Sequence, residues 1–270
     1  MKLFLPLLVA ASLAAKSSLN DYISYAKQYS FGKVADGEIE LILDRNKITT
    51  IENLLYAELL KQGYSHQDSW NFSRVGITAE DSHYIWIRDA VQFPSGKFGL
   101  CSRAIKKAAQ VKEIAILPLF DDNSIALVLR DRHTTRSWEL EIPRGSAVAD
   151  ETLEQAAARE LTRFTGLKAD NLSKLGQTLL DSGTLSTAVA VMLAPVTTKK
   201  DEKVAPAEAG MQVLYLGTNE LSQALLQGVV TAKINGKEKT VFLRDPLLTF
   251  GMIQCILQKK LHSQSFASKK

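Results

Sequence analysis

The sequence predicts an α/β fold, on three observations. Runs that alternate apolar and polar residues with period two are interleaved with stretches of helical period. Gly, Asp, Asn and Pro clusters punctuate the boundaries between them. At 270 residues and 46% hydrophobic content the chain can bury a sizeable core, enough for one large domain or two small ones.

In order along the chain, residues 16–35 are polar and weakly patterned, and Asp36-Gly37 reads as a turn. Glu38 to Leu43 alternates like a strand. From Thr49, Ile51, Leu54, Leu55, Leu59 and Leu60 recur at helical spacing, and Gly63 closes that helix. Four short strands follow, Arg74–Ile77, Tyr84–Ile87, Ala90–Phe93 and Gly99–Cys101, with a turn at Pro94-Ser95-Gly96. Ile114–Phe120 and Ile125–Leu129 make a hairpin around Asp121–Ser124, and Trp138–Ile142 is a further strand ending at Pro143. Glu151–Thr165 is helical, and Gly166 stops it. Two strands lie within 174–195 around Asp181-Ser182-Gly183, and 197–210 is a polar loop. A strand Val213–Leu216, a helix capped by Asn219 and a helix Asp245–Lys259 complete the chain.

Composition excludes several classes. Lys+Arg 33 against Asp+Glu 29 leaves a net charge of +4, with no basic block to argue for nucleic acid. No apolar run reaches the ~20 residues of a membrane-spanning helix. Cys101 and Cys255 sit in apolar surroundings and read as buried thiols. His66, His83 and His262 are dispersed and suggest no zinc site. Lys2, an uncharged run from Leu3 to Ala15 and its small-residue exit follow the pattern of a secretory signal peptide. Residues 1–15 are therefore expected to direct the chain to a secreted or periplasmic location. Without that processing it is cytoplasmic.

The chemistry concentrates between Arg132 and Leu167. On the helix, Leu153, Ala157, Leu161 and Phe164 make an apolar stripe, and Glu160 falls inside it. A carboxylate there is costly unless it meets a cation or donors. A Glu–Arg pair with Arg159 or Arg163 would satisfy it. Arg132, His133 and Arg136 precede the strand Trp138–Ile142, and guanidinium forks suit diphosphate geometry.

Gly145, five residues, Glu151, seven residues, Arg159-Glu160-Leu161, then Gly166-Leu167 resembles the Nudix box, with its spacing held throughout. The approach Arg132–Gly145, the segment Leu175–Ser186 and the strand Val213–Leu216 resemble the ADP-ribose pyrophosphatase-like subgroup. Arg88–Lys97 resembles its N-terminal β segment. The resemblance implies a Nudix α/β/α sandwich with a mixed sheet over 105–262, preceded by a smaller α+β segment at 16–104 and followed by a polar tail at 263–270. It implies a hydrolase of nucleoside-diphosphate-linked compounds with Mg²⁺, and it leaves room for a homodimer.

Within that resemblance, Glu160 is the surviving metal ligand, helped by the Arg144 backbone carbonyl. Arg132, Arg136 and Glu141 are the substrate-binding candidates, and Glu208 in the polar loop is the candidate base. Asp201 and Glu202 share that loop. Where the family pattern has two acids, this chain has Arg163-Phe164, a change of +3 in charge. A guanidinium ~6 Å from a divalent ion, at an effective dielectric of ~20, opposes it by roughly 5 kcal/mol before solvent screening. Mg²⁺ binding is therefore expected to be weak or absent, and hydrolysis weak or lost. The other reading is a non-catalytic Nudix-fold module that binds a ligand or a protein.

Overall fold

The computed structural model describes residues 19–28, 38–107, 112–185, 187–196 and 212–260. The apolar segment 1–15, the polar loop with Asp201, Glu202 and Glu208, His262 and the tail 263–270 lie outside the described residues. The chain divides into two units, residues 1–109 with 183–186, and 110–182 with 187–270.

The first unit is α+β. Helix α1 (Leu19–Gln28) is followed by β1 (Glu40–Leu41), α2 (Arg45–Lys61) and α3 (His66–Ser73). Strands β2 (Gly76–Glu80), β3 (Tyr84–Gln92) and β4 (Phe98–Lys106) follow. β3 is the hub of an antiparallel sheet, pairing with β1, β2 and β4. The weakly patterned residues 16–35 contain a helix, because Tyr22 and Ala26 stand four apart and are both fully buried. A stripe made of Tyr and Ala is a faint hydrophobic signal. Helix α2 starts at Arg45, before Thr49, because the Asp44 side chain accepts from the Lys47 amide at 2.8 Å.

The two short strands expected at 84–87 and 90–93 are one nine-residue strand. Arg88-Asp89 does not break it. Asp89 is buried and satisfied by the Tyr22 hydroxyl at 2.9 Å and Arg103 Nε at 2.6 Å. A charged residue in mid-strand reads as a break in sequence, yet a paired one is tolerated in the interior.

The second unit is a three-layer sandwich. Strands β5 (Glu113–Leu119), β6 (Ile125–Arg132), β7 (Ser137–Glu141) and β8 (Arg144–Ser146) lead into α4 (Leu153–Thr165). Then come β9 (Ser173–Leu179), β10 (Ala188–Pro195), β11 (Gln212–Leu216) and α5 (Thr218–Gln227). The hairpin β12 (Val229–Ile234) and β13 (Lys237–Phe242) precedes α6 (Pro246–Leu257). The sheet is mixed: β10 runs parallel to β5 and antiparallel to β9, while β7 pairs antiparallel with β6 and parallel with β13.

Period-two alternation divides the core between the two faces. Ala115, Leu117, Val189 and Val191 pack with Leu221 of α5 and Leu247, Leu248 and Met252 of α6. Ile114, Ile116, Ala190 and Met192 pack with Ala156, Ala157 and Leu161 of α4. Among the described helices of this unit, α4 is the one packed on that face, and it carries Glu160.

Four expectations need correction. Glu151 precedes α4, because Thr152 is the cap, with a reciprocal capping box to Gln155. α5 is capped by Gly217 and not by Asn219, and α6 begins after Asp245, whose side chain accepts from the Leu247 amide at 3.1 Å. Cys255 is buried as expected, but Cys101 is only half-buried. The β12–β13 hairpin, unread in the sequence, turns at Asn235-Gly236 with φ of 50° and 78°, the left-handed pair of a tight hairpin turn. Among the described residues no helix is long and apolar enough to cross a membrane.

Candidate functional site

The strand β8, the loop 147–152 and α4 form one assembly. Glu160 lies on the buried stripe of α4, its residue 3% exposed. Its carboxylate rests against the backbone of β8. A Cβ added at Gly145 would come within 2.5 Å of Glu160 Cδ, so only glycine leaves room.

The burial cost of Glu160 is met by two guanidiniums. Arg159 Nη1 donates to Oε1, and Arg163 Nη1 donates to Oε2 at 3.4 Å. Arg159 also binds the loop: Nε and Nη2 each reach Glu151 at 2.8 Å, and Nη2 reaches the Ser146 carbonyl at 2.9 Å. Arg159, with the Val148 amide, holds the Glu151 carboxyl down to about 2. Glu151 in turn raises the Arg159 guanidinium. Glu151 thus acts as an anchor for the loop.

Phe164 is buried and carries guanidiniums beside its ring. Arg163 Cζ is 4.9 Å and Arg130 Cζ 5.2 Å from the ring centroid. Arg130 comes from β6, so strand and helix meet across this ring.

Beyond the end of β6 lies a cleft of about 470 Å³ lined by Arg132, Glu139, Glu141, Arg144, Arg244 and Asp245 among others. Arg132 Nε donates to Glu141 Oε2 at 3.0 Å, a bond that raises the Arg132 guanidinium. Arg144 Nη2 lies 2.9 Å from Glu141 and 3.4 Å from Asp245. Burial pushes the Asp245 carboxyl up, against the pull of Arg144 and the Ile142 and Leu247 amides. Burial also raises Glu139, but Arg244 at 2.6 Å, with Ser137 and Thr135, outweighs it and holds the carboxyl below its ordinary value.

The cleft therefore brings together Arg132, Glu141 and Arg144, three residues the sequence singles out. Arg136 is not among its lining residues. It sits exposed in the turn after β6 with φ of 53°, beside His133 Nδ1 at 3.0 Å. Sequence reading misses Glu139, Arg244 and the cleft role of Asp245. The Asp245-Pro246 step is a helix-start signature that locates Asp245. Arg244 has no comparable signal, because only the β12–β13 hairpin brings it beside Glu139.

Nudix hydrolases generally use divalent metals such as Mg²⁺. Magnesium requires several hard oxygen ligands in octahedral array. The residues around Glu160 do not fit it: each carboxylate oxygen faces a guanidinium, and position 164 offers a phenyl ring. Among the described residues no group of three or more His, Cys, Asp or Glu could hold a metal ion.

Residues 110–223 match the model of the NUDIX domain. Among solved structures the chain is similar to an ADP compounds hydrolase, at 18% identity and a TM-score of 0.50. That likeness covers 72% of this chain and 95% of the other. No curated protein matches the sequence. Loop, box helix, mixed sheet and matched segment coincide: residues 110–223 match a NUDIX domain, and the second unit has the Nudix fold.

Proposed function

We propose that this chain is a Nudix-type hydrolase module for nucleoside-diphosphate-linked compounds of the ADP-ribose kind, in which hydrolysis is weak or lost. The family and the fold support the ligand class. The observation that carries the loss of activity is the clamp on Glu160. A carboxylate held by Arg159 and Arg163 has its lone pairs engaged and its charge compensated, so it is a poor ligand for a hard cation. A Glu160 so engaged does not help hold a metal that would activate the attacking water.

The cleft supports retained binding. Its glutamates can accept from ribose hydroxyls, and its arginines can donate to phosphoryl oxygens. The chain would then act through ligand occupancy, as a binding module.

The test is incubation of the full chain with ADP-ribose and either Mg²⁺ or Mn²⁺, with AMP followed by chromatography. The expected turnover is at least about a hundredfold below the ~10 s⁻¹ typical of enzymes. Turnover near that typical value overturns the loss of activity.

A further inference from the structure

We infer that the chain beyond the family match makes the cleft selective for a sugar, and that Arg244 is the residue that reads it. The inference rests on the nucleoside-diphosphate reading above and says which part of that ligand the cleft takes. The matched residues end at 223, yet Arg244, Asp245 and Pro246 line the cleft together with Arg132, Glu139 and Arg144.

The backbone around Arg244 is fixed on both sides. Phe242 pairs in parallel with Glu139 of β7. The Leu243 amide donates to the Gly228 carbonyl at 2.8 Å, and its side chain is buried in the core shared with α5 and α6. Asp245 is buried and accepts from the Ile142 amide at 3.0 Å. Between these anchors Leu243 packs into the core and Arg244 lines the cleft. A residue that reads a ligand needs such a rigid mount.

The guanidinium is oriented by the cleft wall. Nη2 donates to Glu139 Oε1 at 2.6 Å and to the Ser137 hydroxyl at 3.2 Å, and Nε donates to Glu139 Oε2 at 3.2 Å. Cζ stands 4.3 Å from the centroid of the Phe242 ring. Nη1 makes no bond among the described residues, and the side chain is 52% exposed. Arg244 thus presents a fixed donor to whatever enters.

The lining chemistry selects the occupant. The guanidiniums donate, Glu139 Oε2 has accepting capacity beside its bond to Arg244, and the Thr134 hydroxyl can do both. Sugar hydroxyls also donate and accept, so they match this mixture. A nucleobase gains most from an aromatic face to stack on, and among the described residues no aromatic side chain lines the cleft. A phosphate gains least here, because Arg132, Arg144 and Arg244 each already lie against a carboxylate. The terminal, base-free sugar of an ADP-ribose-like compound is therefore the part that fits.

The experiment is calorimetric titration of the full chain in Mg²⁺ with the α,β-methylene analogues of ADP-ribose and of ADP. Neither is cleaved between its phosphates, and the first carries a terminal ribose that the second lacks. Wild type should bind the ADP-ribose analogue at least about tenfold more tightly. Arg244→Lys keeps the positive charge beside Glu139 and removes the fork. It should cut that preference at least about threefold and leave the Kd for the ADP analogue within about twofold. Arg244→Gln should cut the preference at least as far. Thermal unfolding checks that both variants are folded. A charge effect or a loosened fold moves both analogues together, whereas a lost sugar contact moves one.

Equal weakening of both analogues in folded Arg244→Lys overturns the inference, because the cleft then holds the half they share. An undiminished preference in both variants overturns the assignment to Arg244. Wild-type binding of both analogues without preference overturns the sugar selectivity and leaves the nucleoside-diphosphate reading standing. Binding of neither overturns both.

Discussion

The carboxylate of Glu160 occupies the space that any side chain at Gly145 would need. A Cβ there would stand 2.5 Å from Cδ and 2.9 Å from Oε2 of Glu160. The glycine of the box and its central acid are therefore a fitted pair. Gly145→Ala should push Glu160 off its two guanidiniums and cost about 1–3 kcal/mol. Urea unfolding measures it. An alanine variant as stable as the wild type would refute the fit.

The Arg163→Glu/Phe164→Glu double variant restores two acids about one turn beyond Glu160 on the same helix. It removes one of the guanidiniums holding Glu160 and adds an oxygen ligand four residues away. Mg²⁺ affinity should rise by about a hundredfold or more, equivalent to ~3 kcal/mol. Calorimetry with the metal alone reads this directly. Unchanged heats would show that something other than these two residues excludes the ion.

Glu151 sets a pH signature. Its folded carboxyl lies at about 2 against an ordinary 4.5. A lowered pKa stabilises the fold above the unfolded value, and that contribution fades as pH falls through the folded one. Thermal unfolding of wild type and Glu151→Gln should thus differ by a constant amount at neutral pH. The gap should close between pH 4.5 and about 2. A gap independent of pH would mean that Glu151 acts by shape alone.

Arg144 joins two acids across the cleft. Arg144→Met leaves Glu141 with Arg132 but strips Asp245 of its only ion-pair partner among the described residues. Asp245 is buried, so the loss should cost about 2–4 kcal/mol, less than for a fully buried pair because Arg144 is partly solvated. The Asp245 carboxyl already lies above its ordinary value, and this change should raise it further. Acid then relieves the damage: a raised carboxyl favours the fold at low pH and loses that benefit as pH climbs. Chemical denaturation at neutral and acidic pH should show the variant closer to wild type in acid. A larger deficit in acid would contradict this account.

The sandwich was legible in the sequence where two signals agreed. β5, β6, β7, α4 and β10 combine strict periodicity with clear stops. Glu160 could be singled out because a charge on an apolar stripe must be explained by a partner. The partners themselves followed from spacing, since Arg159 and Arg163 are within one turn. What stayed hidden has a common cause: it depends on contacts distant in sequence. Helix α1 is fixed by Tyr22 reaching Asp89, 67 residues away, and Arg244 meets Glu139 105 residues earlier. Helix α3 has only eight residues, capped by Ser65, and gives little periodicity to read. The hairpin at Asn235-Gly236 did carry a turn dipeptide, but its flanking strands are rich in Lys, Thr and Glu, and their alternation is weak.

One consequence of the Arg159 junction concerns how such a domain changes over evolutionary time. That single side chain ties the loop at Ser146 and Glu151 to the helix at Glu160, and none of those bonds involves residue 163 or 164. Scaffold and reactivity are written in separate letters of the same motif. Selection can erase the second while the first keeps the architecture standing, so a shape built for cleavage can persist as a receptor.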